Sequence, residues 1–247
     1  FSNISTLSDK IRILKLKSLL RGYEINQDNS KDKTTHEFLL DMGFSERMIE
    51  MFFRPFFSGI FLENELETSS KFFKYVFSRF NSGLASLPEN GMQSIPDNLM
   101  KKIDEENVLL EKKVVEIGGQ KDIVFDDGKK LHANNIVLTG ESRGLVDEPI
   151  GKYNDTRTLY LSSQICPERH EYIHLYPCDD LINNVAIPTG ISSSYSENGD
   201  HLFSVTVLKD KISENDLIDG VMERLKHYHG GDKGDYEFLK CIDIKKG

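Results

Sequence analysis

The chain has 247 residues, with 31 Lys+Arg against 40 Asp+Glu and a net charge of −9. At roughly 100–200 residues per domain it is one large domain or two small ones, able to bury a core without disulfide or metal staples. Its acidic balance disfavours nucleic acid and an anionic membrane surface as partners, 38% hydrophobic and 29% charged residues exclude a disordered chain, and no apolar run is long enough to span a bilayer.

The first residues, FSNISTLSDK, lack the basic and apolar regions of a signal peptide, and a start on Phe1 is read as a trimmed chain. Asp9 is placed to cap a helix in which Ile11, Leu14, Leu16 and Leu19 fall near one face. After a polar loop, a helix is predicted from Thr35 to a stop at Gly43, and Ser45 caps another. Pro55 should end or kink that one, because proline supplies no N–H. Phe72, Phe73, Val76, Phe77 and Phe80 recur at helical spacing behind Thr68 and Ser69, and Pro96 lies in the first turn of a shorter helix.

The period then changes. Three apolar runs in residues 107–139, with an Asp127-Gly128 hairpin signal, predict a three-strand meander. Residues 140–156 read as a linker. TLYLSSQ, HEYIHLYP, NNVAIPT and HLFSVTVL read as strands of a mixed sheet, followed by a helix capped by Ser213 and a final strand, EFLKCIDI. The fold class is α+β, divided as a helical part over 1–106, a meander over 107–145, and a mixed sheet with a late helix over 146–247.

Several local patterns carry chemistry in other settings. Gly140-Glu141-Ser142-Arg143-Gly144 fits G-x-S-x-G, which would make Ser142 a nucleophile. A broken segment follows it and a meander precedes it, so a turn explains it as well. Cys166, His170, His174 and Cys178 are evenly spaced, but zinc sites usually pair close cysteines through a tight turn. The run from His229 to Asp235 lacks the bidentate Glu of a calcium loop, and Glu63, Glu65 and Glu67 read as a solvated edge. Nine of the 15 phenylalanines (Phe52, Phe53, Phe56, Phe57, Phe61, Phe72, Phe73, Phe77 and Phe80) form a cluster, read as a helical core or as a wall around an apolar ligand. There is no G-x-G-x-x-G after a strand and no P-loop. The three cysteines, Cys166, Cys178 and Cys241, read as reduced thiols of the cytoplasm or another reducing intracellular compartment.

Residues 52–99 contain Arg54, Pro55, Phe56, Phe57, Gly59, Phe61, Leu62, Leu66, Thr68, Ser69 and Ser70, then Pro88, Gly91, Met92, Ile95, Pro96 and Leu99. This block resembles the flavin-containing amine oxidase superfamily, in the FAD-dependent branch related to phytoene desaturases and protoporphyrinogen oxidases. There FxRPFFxGxFLxxxLxTSS leads to LPxxGMxxIPxxL. The meander and later strands are similar to the family's as well, so the resemblance covers nearly the whole chain.

The resemblance implies a substrate domain plus the inner meander of an FAD domain, as a fragment without the N-terminal glycine fingerprint or the C-terminal flavin segment. It implies that the parent oxidises a hydrophobic organic substrate by hydride transfer to FAD, and that this piece alone holds little flavin. By the same resemblance Val114, Leu138, Thr139 and Gly140 flank the cofactor, and Gly91 and Met92 lie near the substrate cavity. Phe56, Phe57, Tyr160 and Asn184 are candidates for its lining. No residue stands out as an acid or base, as flavin chemistry permits. The alternatives are a non-catalytic module for an apolar ligand or partner, and a serine hydrolase at Ser142.

Overall fold

The computed structural model describes residues 4–119, 121–146, 153–208 and 212–245, apart from the side chains of Glu141 and Arg143. Residues 147–152 of the predicted linker lie outside the described residues. The chain divides into two units, one made of residues 1–92 and 153–247, the other of residues 93–152.

The first unit opens with helix α1 (Leu7–Leu19). Its cap is Thr6 rather than Asp9: the Asp9 N–H donates to Thr6 Oγ1, and the Thr6 N–H donates back to the Asp9 carboxylate. Thr-Leu-Ser-Asp is thus a capping box, which satisfies two otherwise orphaned donors. Asp9 is also fully buried, where it accepts from the N–H and hydroxyl of Ser45 and ties α1 to the next helices.

Helix α2 (Thr35–Asp41) has a second capping box, Thr34 with Glu37, and Gly43 follows it at φ +80°. Ser45 caps α3 (Glu46–Met48), which runs through a π-helical turn, Ile49–Phe53, into α4 (Arg54–Phe61). Pro55 therefore neither ends nor sharply breaks the helix. The wide turn before it, closed by the Arg54 N–H on the Ile49 carbonyl, absorbs a residue that cannot donate. Helix α5 (Ser70–Ser82) is capped by Ser69.

These helices enclose an aromatic core. Phe53, Phe57, Phe61 and Phe73 are buried with Leu16, Leu39, Ile49 and Leu66. Phe57 and Phe73 lie 4.7 Å apart, and Phe53 meets Phe44 edge-on at 4.9 Å, the geometries aromatic quadrupoles prefer. The core reading therefore holds for these four. Phe52, Phe56 and Phe77 are half-buried, and Phe72 and Phe80 reach the surface.

The second unit holds α6 (Ser94–Met100) and an antiparallel meander of β1 (Val114–Ile117), β2 (Asp122–Phe125) and β3 (Lys130–His132). Gly128 turns the β2–β3 hairpin at φ +79°. The third strand stops at His132, earlier than the apolar run suggests, and Leu138 and Thr139 lie beyond it. A 3-10 turn follows at Gly140–Leu145. Among the described residues of this unit no side chain is buried.

The chain then builds β4 (Thr156–Ser163), β5 (His174–Leu175), β6 (Ile182–Ala186) and β7 (His201–Val207). Helix α7 (Glu214–His229), capped by Ser213, and β8 (Tyr236–Ile244) complete it. The strand order is β5-β6-β7-β4-β8, and every pairing is antiparallel where a mixed sheet is expected. The predicted strand HEYIHLYP contributes only His174 and Leu175. Arg169, at φ +54°, accepts from the Tyr172 N–H in a turn that diverts the backbone from the ladder. Leu217, Val221 and Leu225, four residues apart on α7, pack on Leu159, Leu161, Val185, Phe203, Val205 and Val207. Helix α7 therefore covers one face of the sheet.

Candidate functional site

The other face of the sheet is read from its register. Tyr160 pairs with Ser204, and Ser204 with Ala186; Thr158 pairs with Thr206, and Thr206 with Asn184. Directly opposed residues share a face, so Tyr160 and Asn184 lie one row apart on the side away from α7. Lys240 and Ile242 of β8 extend the two rows. All six residues of β4, β6 and β7 named here are half-buried, unlike the sealed residues beneath α7.

The Tyr160 row runs into a pocket. Ala186 is its last member and also a wall of a cavity of about 230 Å³, lined mainly by apolar groups including Leu87, Tyr172, Ile173, Ile187 and Ile191. The turn Pro188–Gly190 closes this end of the sheet. It packs so tightly on the facing segment that a Cβ on Gly190 would stand 2.4 Å from the His170 carbonyl oxygen. The Leu87 segment is held there by Tyr195, whose hydroxyl donates to the Pro88 carbonyl at 2.6 Å, and by Ser194, whose hydroxyl donates to the Glu89 carbonyl. Gly91, at φ +84°, and the exposed Met92 end the same loop. Tyr160 thus shares a row with the pocket wall Ala186 and the Gly91 loop follows the wall Leu87, but Tyr160, Gly91 and Met92 do not themselves line the pocket, and Asn184 occupies the neighbouring row.

Asn184 has a second contact. Its amide donates to Asn183 Oδ1 at 2.7 Å, and the pair meets α4 at Gly59, where a Cβ would lie 2.6 and 2.7 Å from the two side chains. Asn154 joins the same helix, donating to the Phe61 carbonyl at 3.0 Å. Phe57 is buried in the aromatic core, and with Phe56, Phe52, Phe77, Phe80 and Lys17 it also lines a groove of about 200 Å³ distinct from the sheet pocket.

The four residues expected to flank the cofactor lie in the second unit. Val114 starts β1 opposite Phe125, and β1 contacts the turn that Gly140 opens. Leu138 is half-buried, whereas Thr139 and Gly140 are exposed. Gly140 sits at φ +57° with no atom within 4 Å of the place a Cβ would take. Among the described residues no glycine-rich strand-to-helix turn is present to receive a pyrophosphate.

Ser142 does not form a nucleophile elbow. No strand leads into it, and it lies within the 3-10 turn. Its hydroxyl donates to the Thr139 carbonyl at 2.6 Å and accepts from the Thr139 N–H at 2.9 Å. Of the cysteine–histidine set, Cys166 Sγ lies 3.8 Å from His170 Nδ1, while His174 packs edge-on against His229. Among the described residues no three His, Cys, Asp or Glu side chains are grouped to hold a metal ion.

The pocket walls Tyr172, Ile173, Ala186, Ile187 and Ile191 are not found from the sequence: the runs that contain the first four read as strands, but only Ala186 lies in one, and the others line the pocket from the irregular backbone beside β5 and the turn after β6. Pro188 is the one visible sign that the chain leaves the sheet there.

Comparison with solved structures finds the same fold at low identity. PF1083 protein from Pyrococcus furiosus matches with a TM-score of 0.72 and 16% identity, over 94% of this chain and 61% of that one. An oxidoreductase from Methanosarcina mazei matches with a TM-score of 0.71 and 17% identity, over 97% and 61%. A putrescine oxidase matches with a TM-score of 0.66 and 11% identity, over 98% and 63%. The chain thus spans about three fifths of the length of these structures. None of the curated proteins compared with it matches. The family model described as flavin containing amine oxidoreductase matches residues 6–240, nearly the entire sequence. The chain belongs to the flavin-containing amine oxidoreductase family.

Proposed function

We propose that this chain forms the substrate-binding sheet and the cofactor-flanking meander of a longer FAD-dependent oxidoreductase acting on a hydrophobic organic substrate. The observation that carries this reading is the position of Ala186. It ends the Tyr160–Ser204 row of the open sheet face and also walls the apolar pocket. A substrate with an apolar body and a polar reacting end fits that arrangement: Leu87, Ile187 and Ile191 receive the body, and the Tyr160 and Ser204 hydroxyls orient the end.

The flavin, when bound, supplies the electron sink that takes a hydride. Val114 and the Leu138–Gly140 backbone border it, and residues beyond the 247 hold its phosphates. A meander with no buried side chain among its described residues supports assigning it to a larger domain of the parent. The three free cysteines support a reducing intracellular compartment.

The test uses the full-length protein. It should purify with the visible absorbance of an oxidised flavin. Ala186→Phe, which fills the pocket, should raise KM for apolar substrates about tenfold or more and leave the flavin spectrum unchanged. Full-length protein without flavin, or an Ala186→Phe enzyme with unchanged KM, rejects the reading.

A further inference from the structure

We infer that the outer face of α1 docks on an anionic lipid bilayer, with the helix lying in the plane of the interface. Leu7, Ile11 and Leu14 are 73%, 61% and 68% exposed, at the i, i+4, i+7 spacing that places them on one stripe. Ile4, before the cap, extends the stripe and is also exposed. The opposite side of the helix is already used: Leu16 and Leu20 are buried in the aromatic core. Helix α1 is thus apolar on two sides, and only one is covered by its own unit.

The exposed charges of α1 itself have one sign. Lys10, Lys15, Lys17 and Arg21 are exposed on or just after the helix. Its only carboxylate, Asp9, is fully buried and bound to Thr6 and Ser45. A leucine and isoleucine stripe flanked by lysine and arginine is the pattern that seats a helix among anionic headgroups, with the long basic side chains reaching the phosphates. At 13 residues α1 is about 20 Å long, and no helix among the described residues is long and apolar enough to cross a membrane.

The net charge of −9 argued against such a surface. Charges beyond a Debye length of about 8–10 Å are screened, so the cations of α1 act on a surface they touch more strongly than carboxylates elsewhere on the chain. The inference is independent of the flavoenzyme reading.

Vesicle flotation tests it with both the 247-residue chain and its full-length parent. Both should float with vesicles containing phosphatidylglycerol and stay behind with pure phosphatidylcholine. About 1 M salt should release them, because screening then acts within roughly 3 Å. Ile11→Asn with Leu14→Asn should lower binding about tenfold, and so should Lys15→Glu with Arg21→Glu. All four positions are exposed, so circular dichroism and Tm should not change. Failure to float, equal binding to neutral vesicles, or retained binding in both double variants overturns the inference. So does flotation of the 247-residue chain but not the parent, which would show the face covered by the rest of the protein. A dimer dispersed by Ile11→Asn would assign the face to a second copy instead.

Discussion

Single residues decide where the elements of the first unit meet. Burial of Asp9 would raise its pKa, but hydrogen bonds from Thr6 and Ser45 outweigh that and hold it at about 2. Asp9→Ala leaves the Ser45 N–H unpaired in the core and should cost about 2–3 kcal/mol in denaturant unfolding. A depressed carboxylate stabilises the fold above its ordinary value of 3.8, and that contribution is lost as pH falls towards 2. His229 titrates in a different window. Burial, with the neighbouring His174, lowers its pKa from 6.5 to about 4, while Nε2 keeps a 2.8 Å hydrogen bond with the Tyr176 hydroxyl. Between these values the unfolded chain binds a proton that the folded one refuses, so stability should fall as pH drops from 6.5 towards 4. His229→Gln should flatten that slope in a series of Tm measurements. Gly190→Ala is a steric test of the pocket. The new methyl meets backbone rather than a movable side-chain end, and the shift needed should cost about 1–3 kcal/mol and weaken apolar substrate binding.

At the level of elements, the caps Ser45, Ser69 and Ser213 were legible because a hydroxyl stands just before a helical run, whereas neither capping box was read and Asp9 pointed to a cap three residues after the true one, Thr6. Pro55 was legible as a disturbance but not as its outcome. Whether a helix stops, kinks or widens at proline depends on what the following turn packs against, and here Phe57 and Phe61 are buried beyond it. Helix α7 behaved as its pattern predicts because Leu217, Val221 and Leu225 form one uninterrupted stripe on the sheet. Leu225→Ala should cost about 2–5 kcal/mol by equilibrium unfolding, the range for deleting a sealed leucine and leaving a cavity. The site was less legible. Tyr160 and Asn184 are eligible from strand alternation alone, but that they share a face follows from register across β4, β7 and β6, including a bulge between Ile182 and Asn184.

For the whole molecule, the contrast between the two units matters most. The first has two cores, one aromatic between helices and one aliphatic between α7 and the sheet. The meander of the second has no buried side chain among its described residues. A three-stranded sheet of that kind is marginal in water. In hydrogen exchange on this chain, amides of β1–β3 should exchange at least ~100-fold faster than those of β4 and β7. In the full-length protein the gap should narrow as the meander gains its domain.

Composition and periodicity were enough to reach an α+β chain of helices, then a meander, then a sheet with one late helix, because those properties are local and repeat every two or 3.6 residues. The block from Arg54 to Leu99 was enough to reach the family. Tertiary structure alone showed that Phe57 fills a core, that Ser142 spends its hydroxyl on Thr139, and that Ala186 joins a row of the sheet to a pocket. It alone showed that the leucine and isoleucine stripe of α1 faces outwards. Apart from the local Ser142–Thr139 bond, each is a contact between residues distant in the chain, or the absence of one, and no local period encodes which surfaces folding will bring together.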